Sequence, residues 1–254
     1  MDGKNSMDEI KKKSCVYITA FNERTLELSK LCFSRLGYSN IVVDNSHDAF
    51  HHKMENFRKF AISHKKDFEL FVRSDADRLV FSGVDDLVYE TYIDEKVISS
   101  EGKFYDGLMK RYRGGTPVLY KSAAVDLWNN IKVPNTRKPE SDFISLYTAN
   151  RTAASWKCYD ILTNLHDFEQ YPSKICNVLL NRYYRNHAHL YDPKNQEIKK
   201  PWSEVEKYLQ AGNSITGFEY ADFSHMDSTA TEIQESEYIA LIEKYESIYK
   251  QLAH

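Results

Sequence analysis

The sequence has little of what marks fibrous, linker-rich or disulfide-bonded proteins. Its 254 residues include only 9 glycines and 6 prolines, below the roughly 7% and 5% of average usage, which excludes collagen-like and low-complexity chains. The 4 cysteines form no CxxC pair, so a zinc framework is not indicated. We expect them to be reduced thiols in a cytosolic protein.

Long apolar runs and an excess of one charge are also missing. No stretch approaches the ~20 apolar residues that span a bilayer, and the polar N-terminal segment contains no apolar signal region. We therefore expect a cytoplasmic protein without a membrane span. A net charge of -3 argues against nucleic-acid binding by bulk electrostatics. With 42% hydrophobic and 28% charged residues, the composition is that of a globular protein with a substantial core.

Hydrophobic periodicity predicts an α/β arrangement for the first ~80 residues. The segments 15–21, 41–46 and 68–77 are β-branched or aromatic and predict buried strands. The two segments between them carry apolar residues at helical spacing, for example Phe50, Met54 and Phe57 in the second. Alternating strands and helices predict a parallel sheet with right-handed crossovers.

Each of these predicted strands ends in polar residues. Asn22 and Glu23 follow the first strand, Asp44 lies at the end of the second, and the third ends in Ser74-Asp75-Ala76-Asp77. Ligands of such sheets bind beyond the carboxyl ends of the strands, so these ends predict a nucleotide-binding cleft. Two carboxylates at i and i+2 can also reach one hard divalent cation. The alternative interpretation of this DxD pattern is an exposed turn whose acids are solvated.

The rest of the chain is less regular. Residues 1–13 are expected to form a flexible leader, and Gly114-Gly115 is expected to form a turn before a short strand and a helix from Ser122. Further helices are predicted after Pro172 and towards the C-terminus, where Tyr245 lies on the apolar face of the last helix.

Together these motifs resemble glycosyltransferases of the GT-A fold, in particular family 2. The matching segments are CVYITAFNE, IVVDNSH, SDAD, GGTPVLYKSAAVDLW and ESDFISLYTANR, over roughly residues 15–150. The resemblance implies a Rossmann-like α/β fold with a mostly parallel central sheet flanked by helices and a helical C-terminal part. It implies a single domain over 14–254, with a nucleotide-sugar-binding half at 14–120 and an acceptor-side half at 121–254.

The resemblance also implies a donor site and a metal site. The implied donor-binding residues are Thr19, Ala20, Phe21, Asn22, Glu23, Asp44, Arg73, Asp75, Gly114 and Gly115. The implied ligands for Mn²⁺ or Mg²⁺ are Asp75, Asp77 and His225, with His166 as the rival histidine.

The family-like position for the catalytic base is Asp142. The usual adjacent Glu-Asp pair is here Glu140-Ser141-Asp142, so Glu140 is a further candidate, and Asp167 in HDFEQYP is another. An inverting transfer needs one carboxylate to take the acceptor proton. Helix capping is the alternative role for all three acids.

The function implied by the resemblance is that of a metal-dependent hexosyl- or pentosyltransferase. The donor would be a nucleoside-diphosphate sugar, expected to be a UDP-sugar, and the acceptor hydroxyl would belong to a glycan, a protein or a hydroxymethylated base in DNA. A non-catalytic protein that binds nucleotide sugars is the alternative from another functional class. A phosphatase of the DxDx(T/V) type is disfavoured, because the acids end the third strand rather than the first.

Overall fold

One seven-stranded sheet with helices packed against it forms the framework of the chain. The computed structural model describes residues 6–46, 48–107, 110–135, 143–146, 155–169 and 232–253. The strands are β1 (Ser14–Thr19), β2 (Ile41–Asp44), β3 (Leu70–Asp75), β4 (Arg78–Val80), β5 (Val97–Asp106), β6 (Arg111–Lys121) and β7 (Ser155–His166). The α-helices are α1 (Met7–Lys12), α2 (Leu26–Arg35), α3 (Phe50–His64), α4 (Gly83–Ile93), α5 (Ser122–Val125) and α6 (Tyr238–Leu252).

The strand order is β2-β1-β3-β6-β5-β7-β4. β1 is parallel to β2 and β3, and β5 is parallel to β7. β6 lies antiparallel between β3 and β5, and β4 is antiparallel to β7. Five strands, β1, β2, β3, β5 and β7, therefore run in one direction. The predicted α/β class with a mostly parallel central sheet and flanking helices is confirmed.

The two sheet faces bury two separate apolar cores, and β1 contributes to both. All six residues of β1 are buried. Val16 and Ile18 pack into the core under α2, α4 and α6, whereas Cys15 and Tyr17 pack into the core under α3 and α5. Successive strand residues point to opposite faces, which explains why this central strand is an unbroken apolar run rather than an alternating one.

The N-terminal residues differ from the expected flexible leader. A capping box between Ser6 and Glu9 begins helix α1, and Ile10 is buried in the first core. The buried Lys11 side chain pairs with Asp85 at 2.7 Å. A capped helix with an apolar anchor and an ion pair has the contacts that a solvated leader lacks. The proposed division of the domain at residue 120 stays a prediction.

The Gly-Gly segment also differs from its expectation, because it lies inside β6 and not in a turn. Gly114 pairs with Lys103 and Gly115 with Gly102 of β5. A Cβ on Gly115, whose φ is +150°, would lie 3.0 Å from the Phe104 ring. The sequence analysis did not predict β5, the strand that supplies Phe104. Without its partner strand, the glycine pair gave the usual signal of a turn.

Candidate metal and substrate site

Polar residues gather at one edge of the sheet. The five strands that run in one direction end there, and β4 and β6 begin there. The terminal residues at this edge are Thr19, Asp44, Asp75, Asp106 and His166 on the first group, and Arg78 and Arg111 on the second. This edge is where α/β sheets bind ligands, as the sequence predicted for its first three strands.

His166 is the centre of a buried charged cluster at this edge. Its Nε2 atom lies 3.3 Å from Oδ2 of Asp77. Its Nδ1 atom lies 3.2 Å from Oδ2 of Asp167 and 3.4 Å from Oδ2 of Asp106. The exposed fractions are 5% for His166, 3% for Asp167 and 0% for Asp106. Three carboxylates therefore face one imidazole in a site that is almost closed to water.

Strand pairing and a tight turn assemble this cluster. The antiparallel register sets Arg78 of β4 opposite His166 of β7, so Asp77, one residue before β4, lies beside the imidazole. After β7 the backbone of Asp167 adopts φ +59°, a conformation that Asp tolerates better than most residues. The Asp167 N–H then donates to the Asp77 carbonyl at 3.4 Å, which joins the two acids through the main chain.

The environment of this cluster shifts the pKa of both its histidine and its last acid. Burial and Arg78 oppose protonation of His166, but Asp167, Asp77 and the hydrogen bond to Asp106 outweigh them and raise its pKa to about 9. Burial raises the pKa of Asp167 to about 6, against the attraction of His166. At neutral pH the imidazole is thus held as a cation between carboxylates.

Asp77, His166 and Asp167 could also hold a metal ion. One ligand atom from each lies within 4.8 Å of the other two. Two carboxylate oxygens and an imidazole nitrogen suit Mn²⁺ or Mg²⁺, for which carboxylates are the usual ligands. The sequence analysis named Asp77 as a ligand, His166 as the rival histidine and Asp167 as a base, and the structure brings all three together.

Asp75, the other acid of the DxD motif, lies outside this group of ligand atoms. Its carboxylate accepts a hydrogen bond from the fully buried Arg73 at 2.6 Å and one from the Thr116 hydroxyl at 3.0 Å. Arg73 also lies over the Phe50 ring, 5.3 Å from its centroid. The predicted roles of Asp75 and Arg73 towards donor or metal stay predictions, and in the structure the two residues bind each other.

Two arginines lie beside the cluster: Arg78, which flanks the DxD motif in the sequence, and Arg113, which the sequence analysis did not assign to the site. The Arg78 guanidinium covers the Phe104 ring at 4.0 Å and is 3.4 Å from Asp77. Arg113 is the cross-strand partner of Phe104, so its side chain lies on the same face of the sheet as that ring. Within the described ranges, Nε and Nη1 of Arg78 and Nη1 of Arg113 are buried without a hydrogen-bond acceptor. Guanidinium N–H groups are the donors that bind phosphate and carboxylate groups best.

The loop after β1 is organised by a residue that sequence reasoning missed. Lys53 of α3 is fully buried and donates to the carbonyls of Ala20 and, at 3.1 Å, Asp44. Its ammonium lies 4.3 Å from the centre of the Phe21 ring. The Phe21 N–H donates to the Glu23 carboxylate. Lys53 therefore ties the ends of β1 and β2 together.

The predicted nucleoside-binding residues lie at this same place. Thr19 and Ala20 are buried, and Asn22 has φ +60°. The Asp44 carboxylate is 7% exposed and accepts hydrogen bonds from Tyr17, the Ser46 N–H and Asn56. Burial opposes ionisation of Asp44, but the hydrogen bonds from Ser46 and Asn56 and the charge of Lys53 outweigh it and lower its pKa.

Three predicted residues lie outside the described ranges, namely Glu140, Asp142 and His225. Their roles stay predictions. Asp106 and Arg113 were missed, although the partial alternation of β5 and the basic run 110–113 were visible signals. No helix within the described ranges combines the length and apolar character needed to cross a membrane.

Several solved structures are similar to the chain at low sequence identity. A crystal structure of a protein from STIV matches at 13% identity and a TM-score of 0.43, over 57% of this chain and 82% of that one. A glycosyltransferase involved in the glycosylation of the major capsid of PBCV-1 matches at 16% identity and a TM-score of 0.36, over 60% of this chain and 93% of that one. A cytidylyltransferase from Leptospira borgpetersenii matches at 10% identity and a TM-score of 0.40, over 84% of this chain and 99% of that one. No family model and no curated protein sequence matches the chain.

Proposed function

We propose that the protein is a metal-dependent glycosyltransferase that moves a sugar from a nucleoside-diphosphate sugar to an acceptor hydroxyl. The observation that carries this proposal is the convergence at one sheet edge of a cation-binding group and two arginines. Asp77, His166 and Asp167 offer the ligands, and Arg78 and Arg113 offer buried guanidinium N–H groups that hydrogen-bond to no acceptor among the described residues. A dianionic diphosphate bound to a divalent cation matches both halves of this site.

Asp77, His166 and Asp167 would hold Mn²⁺ or Mg²⁺, which supplies neutralisation of the charge that develops on the departing diphosphate. His166 binds a metal only as neutral imidazole. Metal binding would therefore release the ring proton that the three neighbouring carboxylates stabilise. Arg78 and Arg113 would orient the phosphate oxygens by charge-assisted hydrogen bonds.

The first two strands would bind the nucleoside. In this proposal the loop Ala20–Glu23 surrounds the base and Asp44 accepts a hydrogen bond from it. Three internal donors already bind the Asp44 carboxylate, which leaves about one of its roughly four acceptor positions for a base. A UDP-sugar is the donor we propose.

The acceptor proton would pass to a carboxylate, and we assign this role to Asp142, with Glu140 as its alternative. Asp167 is the third candidate, and its pKa of about 6 suits a general base. Its position within the proposed ligand group speaks against that role, because a carboxylate bound to a cation is a weaker proton acceptor.

The test is release of nucleoside diphosphate from UDP-, GDP- and TDP-sugars with and without Mn²⁺. We expect metal-dependent release by the native protein and none by Asp77→Asn. Asp160→Asn is the matched control, because Asp160 is an exposed acid on β7 with a side chain 87% accessible. Binding of a donor without any release would favour the non-catalytic alternative, and undiminished release by Asp77→Asn would refute the metal centre.

A further inference from the structure

The turn that carries His166 and Asp167 continues into two residues that are anchored elsewhere. Phe168 packs edge-on against the Tyr245 ring of α6, with centroids 5.3 Å apart. Glu169 accepts a hydrogen bond from the Tyr245 hydroxyl. Tyr245 is 2% exposed, and its partners Phe168 and Glu169 are partly buried.

Glu169 is also bound from the opposite side. Arg24, in the segment just after β1, lies 3.2 Å from Oε2 of Glu169, and both side chains are less than a fifth exposed. Lys244 of α6 lies 3.4 Å from Oε1. One carboxylate therefore joins three parts of the chain that are distant in sequence: the loop after β1, the turn after β7 and the last helix.

This anchoring bears directly on the metal ligands. Asp167 lies two residues before Glu169 and has φ +59°, a conformation that costs a non-glycine residue free energy and that surrounding contacts must offset. Its N–H donates to the Asp77 carbonyl at 3.4 Å, which is a long hydrogen bond. The local main-chain contact is thus weak, and the constraint comes from the residues that follow.

From this geometry we infer that Glu169 and Tyr245 are positioning residues that hold His166 and Asp167 in the arrangement required to bind a metal ion. The inference rests on the proposed function, because it assumes that these side chains bind a cation. Neither Glu169 nor Tyr245 belongs to the proposed ligand group. They act by fixing the backbone of the turn, as outer-shell partners fix metal ligands in other proteins.

Tyr245→Phe tests the inference, with Tyr249→Phe as the matched control. Both tyrosines are buried on α6, and each substitution removes one hydroxyl. The Tyr249 hydroxyl donates to the Leu162 carbonyl at 2.9 Å and accepts a hydrogen bond from the Gly83 N–H at 3.0 Å. Leu162 lies four residues before His166, away from the turn.

The readout is the Mn²⁺ dissociation constant from titration calorimetry, with the thermal unfolding midpoint measured in parallel. We expect Tyr245→Phe to raise this constant about tenfold, the lower end of outer-shell effects. Tyr249→Phe should leave it within about twofold while lowering the unfolding midpoint by a similar amount, since each variant loses the two hydrogen bonds of one buried hydroxyl.

Glu169→Gln is the second variant. It keeps an acceptor for Tyr245 and removes the charge that faces Arg24, so we expect a smaller rise in the Mn²⁺ dissociation constant. Equal Mn²⁺ binding by native protein, Tyr245→Phe and Glu169→Gln would overturn the positioning role and leave the metal centre intact. Absence of Mn²⁺ binding by the native protein would refute the proposed metal centre, and the inference with it.

Discussion

Metal binding at the proposed site is expected to depend steeply on pH, because a proton and a metal ion compete for His166. The pKa of this imidazole is raised to about 9 by Asp167, Asp77 and Asp106, against burial and Arg78. Below that value the imidazole carries a proton, and a metal ion must displace it. The apparent affinity for Mn²⁺ therefore weakens as pH falls.

The size of the effect follows from the position of the pKa. Between pH 6.5 and 8.5 one proton leaves for each metal ion bound, so the apparent affinity rises about tenfold per pH unit, or ~1.4 kcal/mol. Over this range the total is roughly a hundredfold, and the curve flattens near pH 9. Below about pH 6 the slope increases, because Asp167, with a pKa of about 6, then takes up a second proton.

Titration calorimetry in two buffers with different ionisation enthalpies measures both the affinity and the released proton. We expect about one proton per Mn²⁺ at pH 7.5. Asp106→Asn is the informative variant, because Asp106 hydrogen-bonds the imidazole and lies outside the ligand group. Loss of the Asp106 carboxylate lowers the pKa of His166. We therefore expect Mn²⁺ to bind more tightly at pH 7, and the Mn²⁺ affinity to stop rising at a lower pH than in the native protein. An affinity that is constant from pH 6.5 to 8.5, without proton release, would refute this account of the cluster.

Three further outcomes are expected. Asp77→Asn should weaken Mn²⁺ binding by at least about a hundredfold, more than substitutions of outer-shell residues do. Its unfolding midpoint should stay within a few degrees of that of the native protein. Titration calorimetry and thermal unfolding measure these two quantities. Arg113→Gln should raise the donor KM roughly tenfold, as expected for the loss of one charge-assisted hydrogen bond. Arg111→Gln, which changes an exposed residue on the same strand, should leave the donor KM unchanged. Equal effects of the two substitutions would indicate that only the net charge of the region matters. Asp44→Asn should lower the free energy of unfolding by about 1–3 kcal/mol in denaturant titrations, because the Asp44 carboxylate accepts hydrogen bonds from three internal groups. An unchanged affinity for the nucleotide sugar, measured well below the unfolding midpoint, would remove its proposed contact with the base.

The amino-acid sequence by itself determined the first three parallel strands and the polar residues at their carboxyl ends. Strands β1 to β3 are strongly apolar and are separated by helices with clear periodicity, so local patterns suffice to define them. The polar residues at their ends, Asp44, Asp75 and Asp77, were readable for the same reason. The parallel pairing of these three strands follows from the helices that separate them in the chain, and the observed pairing agrees with it.

The tertiary structure alone decided which residues share the charged site. Asp77 and His166 are 89 positions apart, and they meet because β4 pairs with β7 in one register. Arg113 reaches Phe104 only through the pairing of β5 with β6. Strands β5 and β7 alternate irregularly and contain register shifts, so their local pattern is weak. Non-local hydrogen bonding is what converts separate acids, a histidine and two arginines into one buried cluster, and no local periodicity encodes that register.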